Sequence, residues 1–220
     1  MIGRIMRAKR PMNRRSFLKT SGALVCGFTG TAIGLPVIAA GADAELSRPE
    51  EGPNIIGPRE PFSPNVGTLV SMLNWMRPVV LRSVKGLAVA QLDYLHDAKA
   101  NSIGALLLHL AAIERLYQIN TFEGKKWGDV DREAEKEWGV PARLGKEARK
   151  SIKGHELAYY VDKLKEVREH TLAELQKRDD AWLMQVDADS TNNYCKWFHV
   201  CEHESNHNGQ IKWLKARLPA

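Results

Sequence analysis

Cysteine is scarce in this 220-residue sequence: three are present, at positions 26, 195 and 201. Cys26 falls in an N-terminal leader. Cys195 and Cys201 are six residues apart on what reads as one helix, so they sit about 9 Å apart along its axis and on different faces. They cannot bridge in that arrangement. A disulfide framework is excluded, and both thiols read as small core residues. Acid is missing from residues 1–42, which hold Arg4, Arg7, Lys9, Arg10, Arg14, Arg15 and Lys19. Those seven account for the net charge of +6: without them 25 basic residues face 26 acidic ones. The remainder is near neutral, so the basic face that nucleic-acid binding requires is absent, and no nucleic-acid partner is expected. Repeats and low-complexity tracts are missing too. No stretch alternates apolar and polar residues as a half-buried strand does, which turns the reading away from sheets.

What is present begins with the leader. Asn13-Arg14-Arg15-Ser16-Phe17-Leu18-Lys19 is followed by an apolar stretch, residues 22–40, diluted by Gly27, Thr29, Gly30, Thr31 and Gly34. Ala40-Gly41-Ala42 and Ala42-Asp43-Ala44 are small-x-small cleavage candidates. The whole resembles a twin-arginine export signal over residues 1–42, with Met12 as an alternative start. The expectations are passage through the twin-arginine translocation machinery and a periplasmic or extracellular location. Anchoring by an uncleaved leader is the alternative, although the stretch is barely long enough to span a bilayer. Residues 43–62 are rich in Pro, Gly and acids and read as a flexible linker.

Residues 63–220 read as helical throughout. The first helix covers 66–84, with Leu69, Met72, Leu73, Met76, Val80 and Leu81 inward, a kink at Pro78 and Gly86 at its end. The second is capped by Asn101 or Ser102 and runs to about 122, with Ala105, Leu106, Ala112, Ile113 and Leu116 on one face. Residues 124–154 read as a long charged connection holding a short helix near 131–137, hence a crossover or a functional segment. The third helix covers 155–177, with Leu157, Val161, Leu164, Thr171, Leu172 and Leu175 inward. The fourth covers 191–217. The fold class that follows is all-α, an antiparallel four-helix bundle.

The chemistry lies in histidines. His203 and His207 are about 40° apart around the fourth helix and about 6 Å apart along it. Two imidazoles on one helix converge on a metal in this way. His199 continues the ridge, and Asn206 and Gln210 lie on the same side. His109 interrupts the apolar face of the second helix, where a buried imidazole needs a partner. Metal sites in bundles are built from inward side chains on facing helices, so His109, His203 and His207 form the candidate ligand set. Imidazoles at such positions are also met as hydrogen-bonded or solvated residues, and that reading stays open here. His96, His155 and His170 read as solvent-facing. Read literally, His203-Glu204-Ser205-Asn206-His207 is an H-E-x-x-H match with Glu204 as a protease base. The third ligand would then be needed among the last 13 residues, which contain no His, Asp or Glu.

Three segments carry a family resemblance. The first is SIGALLLHL at 102–110 with Ile113-Glu114. The second is GHELAYY at 154–160, continuing to RDDAWL at 178–183. The third is NNY at 192–194, WFHV at 197–200, EHE at 202–204 and NHNGQI at 206–211. Over residues 62–219 the sequence resembles the DinB/YfiT-like superfamily of metal-binding four-helix bundles. The resemblance implies a divalent metal (Zn, Ni, Fe or Mn) on His109, His203 and His207. It implies a metal-dependent thiol transferase or hydrolase acting on a small-molecule or thiol substrate. The alternative is a non-catalytic metal- or ligand-binding stress-response module. A homodimer is left open. Many relatives carry Arg where this chain has Asn208, which would remove a charge near the site.

Overall fold

A computed structural model of the chain describes residues 54–219. The leader, residues 1–42, and the first part of the linker lie outside the described residues. Among those described there are eight helices and no strand, only one isolated bridge between Val186 and Asn192. Four long helices make the bundle: α1 (Pro64–Val84), α3 (Ile103–Thr121), α6 (Leu157–Leu175) and α8 (Asn193–Lys215). Four short ones connect them: α2 (Val89–Leu92), α4 (Arg132–Arg143), α5 (Gly145–Ser151) and α7 (Asp180–Met184). No described helix is long and apolar enough to cross a membrane.

The helix ends follow the sequence. Ser102 caps α3, its hydroxyl accepting from the Ala105 N–H at 3.2 Å. Asn192 caps α8 through the Cys195 N–H at 2.8 Å. Such caps satisfy N–H groups that have no partner inside the helix. At α1 the side chain of Ser63 makes no cap bond. Asp180 of α7 does that work from a distance, accepting from the backbone N–H groups of Asn65 and Val66 and from the Ser63 hydroxyl. Pro78 lies inside α1, which continues through it.

The charged connection at 124–154 is more ordered than its composition suggests. Asp131 caps α4, its side chain accepting from Ala134 N–H at 2.8 Å. The helix then runs past Gly139 and Pro141, well beyond the short element expected there, and α5 follows at once. Both residues are buried, and α4 packs on α3. Tertiary burial outweighs the helix-breaking tendency of the two residues.

This crossover sets the topology. α1 runs parallel to α8, with Met72 meeting Cys201 and Ser83 meeting Asn208. α3 runs parallel to α6, with Gly104 meeting Tyr160 and Gln118 meeting Thr171. The two pairs are antiparallel to each other, since His109 faces His203 while Asn120 faces Lys196. The chain therefore goes up, down, down and up, and α4 with α5 carries it back between the two downward helices. α3 and α6 are pressed together where α3 begins: a Cβ on Gly104 would lie 2.6 Å from the Tyr160 hydroxyl.

The apolar stripes form two clusters. One joins Val80, Val84, Leu107, Leu110, Tyr160, Leu164 and Ile211; the other joins Leu69, Leu73, Leu175, Leu183, Trp197 and Val200. Trp197 and Tyr160 are fully buried, whereas Trp75, Tyr159 and Trp213 are exposed and Tyr117 is half-buried. Cys195 is exposed and Cys201 half-buried, both free. The core-residue reading therefore fails for Cys195, which sits in the first turn of α8 where that helix faces solvent.

Candidate metal centre

The bundle brings His109 of α3 against His203 and His207 of α8. Nε2 of His203 lies 3.2 Å from Nε2 of His109 and 2.9 Å from Nε2 of His207. One ligand atom from each of the three lies within 4.8 Å of the others. His109 is buried; the other two are half-buried. The ring faces are crossed rather than stacked, at 58° and 82° for His109 against His203 and His207, and at 82° between the last two. Three edges thus point to one spot.

The opposite ring edges fix the tautomers of His109 and His207. His109 Nδ1 donates to the Pro141 carbonyl at 3.0 Å. A carbonyl only accepts, so neutral His109 carries its proton on Nδ1 and keeps the Nε2 lone pair free. Pro141 lies in the last turn of α4, where carbonyls have no partner inside the helix. His207 Nδ1 donates in the same way to Gln210 Oε1 at 3.1 Å. Hydrogen bonds of this kind on the far ring nitrogen orient metal-binding imidazoles and raise their basicity.

All three rings favour the neutral form. Burial pushes His109 down to about 4, against a smaller upward pull from its bond to Pro141. Burial, then the neighbouring His207, His109 and His199, push His203 down to about 3. Burial lowers His207 as well. With Nδ1 protonated on His109 and His207, their two Nε2 lone pairs converge on Nε2 of His203, an arrangement of neutral donors that suits a cation. Two nitrogens each about 2.0–2.1 Å from a shared ion, at 90° to tetrahedral angles, are about 2.9–3.4 Å apart. The two Nε2 separations here fall in that range, so the donor set fits a divalent metal, and it leaves coordination positions for an incoming group.

The other candidates fall elsewhere. His199 is exposed and paired with Glu202 at 3.0 Å, outside the converging set although its ring centroid is 5.6 Å from that of His203. Asn206 is turned to Glu202. His96 stands edge-on to Trp213 and His170 is exposed, while His155 is half-buried on the ring of Tyr159, so it is not simply solvent-facing. Glu204 is 2% exposed and accepts from Arg77 and Arg168 in the core, which removes it as a protease base. Asn208 is buried, its Oδ1 accepting from Ser83 of α1 at 2.7 Å.

Two clefts flank the triad along α8. The larger, about 540 Å³, is lined by Lys99, Asn101, Leu106, Gln210 and Trp213, and touches the site through Gln210. The smaller, about 320 Å³, is lined by Tyr117, Trp127, Cys195 and His199, one turn before His203. Sequence reasoning missed the Pro141 carbonyl, because a backbone acceptor leaves no trace in residue type. It also missed Arg77, Glu114 and Arg168, although Arg168 carries a visible signal: a charge within the apolar ridge of Leu164, Thr171 and Leu175.

The family model for mycothiol-S-transferase matches residues 68–219. Comparison with curated proteins gives no match. The matched region takes in α3, α4, α6 and α8, hence both helices that bear the triad and the one that supplies the Pro141 carbonyl. With its all-α bundle and histidine triad, this chain belongs to the mycothiol-S-transferase family, a DinB/YfiT-like family.

Proposed function

We propose that this protein is a metal-dependent thiol S-transferase that joins a low-molecular-weight thiol to a small-molecule acceptor, with His109, His203 and His207 as the metal ligands. The observation that carries the reading is the convergence of three neutral imidazoles, two of them oriented through Nδ1. A bound divalent cation would supply positive charge that favours a thiolate over a thiol. The protein's own residues hold the ligand edges still, keep them unprotonated by burial, and exclude bulk water from the His109 side. The cleft that reaches Gln210, the partner of His207, has room for a small molecule beside the site. Hydrolysis calls for a base beside the attacking water. Glu204 is committed to two arginines, and Glu202 is engaged by His199 and Asn206.

Export by the twin-arginine route belongs to the same proposal. It is supported by Asn13–Lys19 and the diluted apolar stretch after it. Intact mass of the exported protein, short of residues 1–42, is the expected outcome; a retained leader would make it membrane-anchored instead. For the activity, metal-loaded protein is mixed with a panel of low-molecular-weight thiols and an electrophilic acceptor, and adduct is measured. Metal-dependent adduct that His203→Ala abolishes is expected. Metal-bound protein inert towards every thiol would leave the binding-module reading instead.

A further inference from the structure

Below the triad the bundle buries four charges, one from each long helix. Arg77 comes from α1, Glu114 from α3, Arg168 from α6 and Glu204 from α8, and none is more than 7% exposed. Each arginine bridges both glutamates. Arg77 reaches Glu204 Oε1 through Nη2 at 2.6 Å and Glu114 Oε2 at 2.7 Å. Arg168 reaches Glu114 Oε1 through Nε at 2.7 Å and Glu204 Oε1 through Nη2 at 2.8 Å. The remaining guanidinium nitrogens cross over: Arg77 Nη1 donates to the Leu164 carbonyl of α6, and Arg168 Nη1 to the Leu73 carbonyl of α1. Thr171 donates to Glu114 Oε1 at 2.7 Å, and Gln118 to Thr171 at 2.9 Å.

Two placements link this cluster to the histidines. Glu204 follows His203 directly, one side chain turned to the core and the other to the site. Glu114 sits five residues after His109. Between Val200 and Ile211 the buried residues of α8 are Glu204 and Asn208, so no fully buried apolar side chain of α8 packs at the level of His203 and His207. Apolar packing flanks that level, with Val200 and Ile211 a turn to either side. At the level itself the charge cluster fixes the register, because a guanidinium spanning two carboxylates sets both distance and direction. Buried ion pairs are poor sources of net stability, and their best-attested use is to fix register.

We propose that Arg77, Glu114, Arg168 and Glu204 are positioning residues for the triad, holding α8 in the axial register against α3 at which His203 meets His109. The proposal rests on the reading of the triad as a metal centre. Its test is cobalt(II) binding to the full chain, followed by affinity and by the visible ligand-field bands, which report ligand geometry. Arg168→Met changes a helix that carries no triad histidine. It weakens cobalt affinity by about tenfold or more, the size seen when the groups that orient metal ligands are removed, and shifts the bands. Leu183→Ala, a buried change in α7 within the second apolar cluster, lowers the melting temperature but keeps wild-type affinity and bands. Should Arg168→Met not fold, Thr171→Val removes one hydrogen bond to Glu114 and shifts the same bands to a smaller extent. Wild-type affinity and bands in a folded Arg168→Met or Thr171→Val protein overturn the proposal. Equal loss in Leu183→Ala overturns it too, since general loosening would then suffice. A wild-type chain that binds no cobalt fails at the earlier step and takes the metal reading down with it.

Discussion

At the residue scale, two of the three imidazoles have two jobs, one per nitrogen. Nε2 faces the common point and Nδ1 holds the ring, as with His109 on Pro141 and His207 on Gln210. Removing the holding group while leaving the ligand tests that division. Gln210→Ala should weaken metal affinity by about tenfold, measured by competition with a chelator, and wild-type affinity would show that His207 needs no holding. Protonation gives a second test. The folded rings sit at about 4 for His109 and about 3 for His203, against an ordinary value near 6.5. Between those values the unfolded chain binds more protons than the folded one, so folding becomes less favourable as pH falls. Glu114 works in a lower window. Burial raises its carboxyl, but Arg168 and Arg77 outweigh that and hold it below the usual carboxylate range, so its contribution is present above about 4.5 and lost only below it. Metal-free protein should therefore keep a constant melting temperature above about pH 7 and lose it between about pH 6.5 and 4.5 through its histidines. A flat profile across that window, or one unchanged in a His109→Ala, His203→Ala double variant, would contradict this account of the rings.

At the element scale, the close contact of α3 and α6 and the caps hold the site-bearing helices. Gly104→Ala would drive a Cβ to 2.6 Å from the Tyr160 hydroxyl and 2.7 Å from its ring carbon. A destabilisation of about 1–3 kcal/mol is expected from such overpacking, read by denaturant midpoint. A midpoint that does not move would mean that Tyr160 can withdraw at little cost. Asp180→Ala strips the N-terminal N–H groups of α1 of their acceptor and should lower the melting temperature while leaving the metal site intact. The long helices and the Ser102 cap of α3 were legible in the sequence because periodicity and a capping residue are local signals. The extent of α4 was not. Gly139 and Pro141 speak against helix locally, and only burial on α3 reverses them.

At the scale of the whole molecule, the candidate site was legible and its support was not. His109 stood out on an apolar face, and His203 and His207 by their spacing, so their meeting follows once the two helices pack. The order of helices around the bundle does not follow from periodicity, which is blind to direction. It is set by a crossover that makes α3 and α6 parallel and places a carbonyl of α4 behind His109. The four-charge cluster needed all four helices in place before Arg77 and Arg168 could be told from surface arginines.

The central claim is that the three imidazoles hold one ion. Metal analysis of purified wild-type protein beside His203→Ala and His109→Ala, all confirmed folded by circular dichroism, tests it most directly. A stoichiometric divalent cation in the wild type, lost from both variants, is the predicted result. Equal metal content in all three proteins would contradict it.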